Sequence, residues 1–243
     1  MHGPVFGEFL GTAVLVLFGD GVVANVLLNK SKGEHGGWMV IASGWGMGVF
    51  CGIIVSLGVG GVAQLNPAIT IAFAVISGSY ATILPYCAAQ LAGAFVGAVL
   101  VWLVYLPHWS QTPNPDVKLT VFCTGPAVRH LPCNALTEFL ATAIGLVLIG
   151  IAIGSKGLAA NGLPPGFAPL LWGMVVLAIG LSLGGPTGYA INPARDLGAR
   201  LAHQLLPIAS KRDSDWGYAW VPVLAPALGG VAGALLCRAF GIL

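Results

Sequence analysis

The chain has 243 residues, of which 57% are hydrophobic and only 7% charged, with a formal net charge of +2 and a mean hydropathy of +0.90. Soluble domains carry about 25% charged residues, and no soluble fold hides the stretch from His35 to Pro115, which holds no Asp, Glu, Lys or Arg. The basic residues are too few and too scattered to hold nucleic acid, and the apolar runs lack the alternation of a membrane β-barrel. An all-α, multi-pass membrane protein remains.

The first crossing is expected near 5–28. It begins at once with Val5-Phe6-Gly7-Glu8, without a basic n-region or a small-residue cleavage site, and so reads as a retained helix and not as a signal peptide. Asp20 follows Glu8 by 12 residues, about 18 Å along a helix, near the far membrane face. It reads equally as an acid drawing polyols into a vestibule or as a locally hydrogen-bonded side chain. The second crossing, near 38–58, contains Trp45. Then Val62-Ala63-Gln64 lead, in non-helical backbone, into Asn66-Pro67-Ala68. Asn is a favoured N-cap and Pro suits the first helical position, so a helix starts here, and its apolar run ends near Ile76. That length covers about half of a ~30 Å hydrocarbon core.

A third crossing, near 83–106, is followed by the longest polar loop, 107–134, marked as irregular by Gln111-Thr112-Pro113-Asn114-Pro115. Cys123 and Cys133 share this loop and could pair if it faces an oxidising space, a question the sequence leaves open. Cys51, Cys87 and Cys237 fall in apolar helices as packing residues, and the five cysteines have no metal-ligand spacing. Crossings near 135–154, which holds Glu138, and 167–184, which holds Gly180, come next. Gly188-Tyr189-Ala190 then lead into Asn192-Pro193-Ala194-Arg195, a second half-helix start, before the last crossing near 217–239.

The chain divides into a single channel domain, 1–243, with a first repeat over 1–106, a connecting loop over 107–134 and a second repeat over 135–243. Gly7-Glu8-Phe9-Leu10-Gly11-Thr12 answers Thr137-Glu138-Phe139-Leu140-Ala141-Thr142, Asn66-Pro67-Ala68 answers Asn192-Pro193-Ala194, and Gly93-Ala94-Phe95-Val96-Gly97 answers Gly229-Gly230-Val231-Ala232-Gly233. Three crossings per half invert the second half relative to the first, and short interrupted segments at matching places point to a midplane site. Small residues four apart let helix backbones approach closely in lipid. Two half-helix N-termini facing the centre carry partial positive charge, and each Asn amide has N–H groups to offer a pore. Non-helical backbone at this depth survives only where it is buried in protein or lines a water-filled cavity. The carbonyls of Val62, Ala63, Gln64, Gly188, Tyr189 and Ala190 therefore form a ladder of acceptors.

With two Asn-Pro-Ala motifs, each behind a Glu-Phe-Leu-x-Thr helix, the whole chain resembles the major intrinsic protein family, the aquaporins and glycerol facilitators. The resemblance implies six tilted helices and two re-entrant half-helices in an inverted repeat, one pore per subunit, a homotetramer in the cell membrane and cytoplasmic termini. It implies that Glu8 and Glu138 support the re-entrant loops and that Arg195 forms the constriction with Trp45, Gly180 and Tyr189. In that filter Trp45 and Tyr189 make an apolar corner, Arg195 stands opposite to bind hydroxyls, and Gly180 leaves room for a carbon chain. Trp45, Gly180, Tyr189, Asp196, Arg200 and Pro222-Val223 resemble the glycerol branch. Gln64 departs from the family's usual His. The implied function is passive conduction of glycerol, related small neutral solutes and water, with ions and protons excluded and no cofactor.

Two other readings stay open: a water-selective channel, and an ion-coupled secondary transporter, which also uses inverted repeats and broken helices. An enzyme is disfavoured, since His2, His35, His108, His130 and His203 are dispersed at ends and in loops and no catalytic pair or metal motif sits at membrane depth. The family's topology puts Lys30, Lys32, Lys118, Arg129, Lys211 and Arg212 outside and Lys156 and Arg238 inside, the reverse of what the positive-inside rule selects.

Overall fold

The structure, a computed structural model, describes residues 2–155, 163–164 and 166–242; Lys156 lies outside the described residues. The described secondary structure is helical. Among the described residues, five helices are long and apolar enough to cross a membrane: α1 (Pro4–Leu27), α2 (Trp38–Gly58), α4 (Ile83–Val104), α7 (Leu131–Ile153) and α10 (Trp220–Ala239). A sixth apolar helix, α8 (Phe167–Leu183), has 17 residues, at the lower end of what spans a bilayer. The short helices α5 (Leu106–Gln111) and α6 (Pro115–Phe122) lie in the long loop.

The two half-helices are α3 (Pro67–Ser77) and α9 (Pro193–Leu205), of 11 and 13 residues. At about 1.5 Å per residue they add up to roughly the thickness of the hydrocarbon core. Each starts at an extended Asn whose side-chain oxygen accepts from the first turn: Asn66 from the Ala68 N–H, and Asn192 from the N–H groups of Ala194 and Arg195. Each ends under a cation. Arg238 donates to the Ile76 carbonyl at 2.8 Å, and the Lys211 ammonium donates to the carbonyls of His203, Gln204 and Leu206. Both cations meet the negative end of a helix.

Small residues set how closely the crossings approach. A Cβ on Gly93 would stand 2.2 Å from the Phe9 carbonyl oxygen, and one on Gly97 2.5 Å from that of Ala13. The same contacts recur between Gly229 and Phe139 at 2.8 Å and between Gly233 and Ala143 at 2.6 Å. Neither pair admits a side chain, so α4 seats on α1 and α10 seats on α7 backbone to backbone. The likeness of the two halves breaks in α7, where Ala141–Leu148 forms a π-helical stretch with no counterpart in α1.

Cys123 and Cys133 are free, which corrects the pairing considered for them. Cys123 is buried in the turn after α6, whereas Cys133 is exposed in the first turn of α7.

Candidate functional site

The two lead-in strands share an unusual backbone. Ala63 and Leu65 have φ of 57° and 54°, and Tyr189 and Ile191 have φ of 39° and 43°. Each of these left-handed residues costs about 1–3 kcal/mol, most plainly at β-branched Ile191. Two buried carboxylates hold the strain. Glu8 accepts from the N–H groups of Gln64 at 2.8 Å and Leu65 at 2.6 Å and from the Gln90 amide at 2.7 Å. Glu138 accepts from the N–H groups of Ala190 at 2.9 Å and Ile191 at 2.8 Å and from the Thr187 hydroxyl at 2.6 Å. Helical and sheet partners are unavailable to these N–H groups, and an unpaired buried donor costs about 1–3 kcal/mol.

The half-helices are tied across the centre by a reciprocal pair of bonds. Asn66 Nδ2 donates to the Ile191 carbonyl at 2.8 Å, and Asn192 Nδ2 donates to the Leu65 carbonyl at 2.9 Å. Each amide thus spends one N–H on the other loop and keeps the second. Both Asn residues border a cavity whose wall also includes Ile69, Phe73, Trp172, Leu146 and Val49. Val62, Ala63, Gln64, Tyr189 and Ala190 border it as well. Gly188 does not, so five of the six expected residues reach the cavity wall.

The cavity wall also includes Trp45 and Arg195, beside Tyr189. The Arg195 guanidinium lies over the Trp45 ring, 4.1 Å from its centroid, and Nη1 donates to the Phe122 carbonyl at 3.4 Å. The Phe122 turn is fixed from α9. Asp196 Oδ2 accepts from the Thr124 N–H at 2.8 Å and its hydroxyl at 2.6 Å. Arg200 pairs with Asp196 at 2.7 Å, with both side chains fully buried, and donates to the carbonyls of Thr124, Ser214 and Asp215. A closed ionic knot therefore sets the carbonyl against which Arg195 rests. Outside the membrane segments, the Arg212 guanidinium bonded to Asp213 holds that carboxyl below the usual carboxylate range.

The sequence matches the family described as Major intrinsic protein over residues 2–237. The chain belongs to the major intrinsic protein family. A probable glycerol uptake facilitator protein of Thermotoga maritima is 54% identical over 94% of this chain and 95% of its own. A glycerol uptake facilitator protein of Bacillus subtilis is 48% identical over 96% of this chain and 83% of its own. Among solved structures, the aquaglyceroporin of Plasmodium falciparum superposes with a TM-score of 0.83 at 32% identity, covering 96% of this chain and 93% of that one. Six spans and two half-helices are the aquaporin fold, so this member of the family is an integral membrane channel for small neutral solutes and not an enzyme.

Within that family frame three expectations need correction. Arg195 does not face Trp45 across an opening; it stacks on the ring as a cation–π pair. Gly180 makes room for a protein ring: a Cβ there would stand 2.9 Å from Tyr189 Cζ. Tyr189 in turn sets its ring edge-on to Trp38, whose indole donates to the Gly180 carbonyl at 2.8 Å. Asp20 is fully buried, away from any vestibule, and among the described residues neither of its carboxylate oxygens has a hydrogen-bond partner. The sequence reading passed over the Asp196–Arg200–Thr124 knot, although a charge pair four apart on a helix is a visible signal.

Proposed function

We propose that this protein passively conducts glycerol and related small neutral solutes, with water, along the path bordered by Asn66-Pro67-Ala68 and Asn192-Pro193-Ala194. Glycerol is what the names of the similar facilitators state, at up to 54% identity over nearly the whole chain. The observation that carries the reading is the constriction. Trp45 and the Tyr189 ring supply apolar contact for a carbon chain, while Arg195 has one side-chain acceptor among the described residues and keeps other N–H groups for hydroxyls. The carbonyls of Val62, Ala63, Gln64, Tyr189 and Ala190 serve as successive acceptors, with Gly188 and its positive φ of 80° turning the chain into them. The paired half-helix N-termini and Arg195 form the barrier to cations and protons.

Residues 1–106 and 135–243 serve as inverted repeats joined by the loop 107–134. The working form is a homotetramer in the cell membrane with cytoplasmic termini. In that orientation several cations of the outer loops stand in folded contacts: Lys118 donates to the Ala209 carbonyl, Arg129 pairs with Asp215, and Arg212 pairs with Asp116. Protein reconstituted in vesicles should speed glycerol entry, without saturation at micromolar levels and independently of proton or sodium gradients. Vesicles that pass water but exclude glycerol would place the protein among water channels, and gradient-driven accumulation would make it a transporter.

A further inference from the structure

The two halves repeat more than their Asn-Pro-Ala motifs. In α2 the run Trp45-Gly46-Met47 answers Trp172-Gly173-Met174 in α8. The two helices cross where these runs meet. A Cβ on Gly46 would stand 2.7 Å from the Gly173 carbonyl oxygen, and one on Gly173 would stand 2.7 Å from that of Gly46. The next turn repeats the exchange: the first Cβ would meet Leu177 and the second Phe50, each at 3.1 Å.

Each Trp ring lies against a glycine in the first crossing of its own half. A Cβ on Gly19 of α1 would stand 2.2 Å from the Trp45 ring, and one on Gly150 of α7 would stand 2.1 Å from the Trp172 ring. Gly19 comes 11 residues after Glu8, whereas Gly150 comes 12 after Glu138. The π-helical stretch Ala141–Leu148 lies between Glu138 and Gly150, and a π turn closes one residue later than an α turn. The stretch thus absorbs the extra residue and brings Gly150 against its ring as Gly19 lies against the other. Both rings border the same cavity, but their settings differ. Arg195 lies over Trp45, while α3 and α8, which give Phe73, Ala168 and Pro169 to the cavity wall, carry no charged residue.

We propose that Trp172 is a second specificity-determining residue of the pathway: an apolar wall across the Asn pair from Trp45 that sorts solutes by width, with Gly150 as the positioning residue behind it. The inference rests on the channel reading above and on the inverted repeat given with it, whose operation exchanges Asn66 with Asn192 and Trp45 with Trp172. Gly150 touches no permeant; it lets the indole lie back against α7. That helix has no room to retreat, since Gly229 and Gly233 seat it backbone to backbone on α10. A Cβ at Gly150 must therefore displace the indole, and the open volume that the indole borders is the cavity.

The test measures water, glycerol and a linear pentitol on vesicles of each variant. Gly150→Ala should lower the glycerol-to-water permeability ratio about tenfold, equal to about 1.4 kcal/mol of barrier. Trp172→Leu should raise the pentitol-to-glycerol ratio about tenfold, as room for an added carbon does in an apolar pocket. Adding Gly150→Ala to Trp172→Leu should leave both ratios where Trp172→Leu puts them, because the ring to be displaced is gone. Gly145→Ala is the control for α7–α8 packing. Its Cβ meets Ile179 at 3.0 Å rather than Trp172, and it should keep the wild-type ratios. Wild-type ratios in Gly150→Ala or in Trp172→Leu would overturn the proposal. So would a Gly150→Ala effect that persists without the indole, or an equal effect of Gly145→Ala. Should Gly150→Ala not assemble, the double variant decides: the ratios of Trp172→Leu support the proposal, and a second failure to assemble refutes it. Wild-type glycerol entry in the same vesicles is a separate control: its absence would fault the channel reading, whereas its presence beside unchanged ratios would fault this one.

Discussion

The two half-helices share one backbone plan and differ in what surrounds them. Both start at Asn-Pro-Ala, both follow a non-helical segment with two left-handed residues, and both lead-in segments hang from a buried Glu. Beyond the first turn they part. The first, Pro67–Ser77, carries no charge, and its buried residues are apolar apart from Thr70. The second, Pro193–Leu205, carries Arg195, Asp196 and Arg200, all buried. Thr70 holds the place in the first half that Asp196 holds in the second, four residues after Asn. It bonds back to the Asn66 carbonyl at 3.2 Å and accepts from Gln90 at 2.9 Å. On the reading proposed above, the lesson is a division of labour: the shared frame builds the crossing point, and the ionic additions of the second half serve the filter.

That contrast is most open to breakage at Asp196. Asp196→Ala leaves Arg200 buried without its counter-charge and frees Thr124. The expected loss is about 3–5 kcal/mol, read as a collapse of folded yield or of the thermal midpoint in detergent. Little change would mean that the three carbonyls on Arg200 suffice and that the knot is ornamental. Next in size are Glu8→Ala and Glu138→Ala. Each strands two backbone N–H groups, at about 1–3 kcal/mol apiece, and the shared frame requires the two losses to be similar. If one Glu proves dispensable while the other does not, the halves are not supported alike. The smallest effect belongs to Thr70→Ala, which removes two neutral hydrogen bonds for about 1–2 kcal/mol. A loss matching that of Asp196→Ala would erase the distinction drawn between the half-helices.

Local chemistry made much of this legible in the sequence. Asn before Pro in an apolar chain marked both half-helix starts, and their caps are as the residue types require. Glu8 and Glu138 stood out as charges at membrane depth, and both accept the N–H groups expected of them. The Gly93 and Gly229 clusters appear in the sequence as spacing and in the fold as close helix contacts. What the sequence concealed depends on partners far along the chain. The reciprocal bonds Asn66–Ile191 and Asn192–Leu65 join residues 125 and 127 apart. The Arg195–Trp45 stack, the Tyr189 ring lying on Gly180, and the unpartnered Asp20 are equally products of tertiary packing. The π-helical stretch at Ala141–Leu148 sits in a sequence whose apolar pattern suits an ordinary helix equally well.

The central claim is that the second half sets the width of the pathway at Gly180, Tyr189 and Arg195. Gly180→His tests it most directly, because even a Cβ at this position meets Tyr189 at 2.9 Å, so the imidazole must displace that ring. Water and glycerol permeabilities should be measured on one vesicle preparation, after confirming that the variant assembles as the wild type does. The account predicts a sharp fall in glycerol flux with water flux reduced far less, since the obstruction is steric and acts on solutes in order of width. Equal fractional losses of both would contradict it and move the constriction elsewhere along the pore.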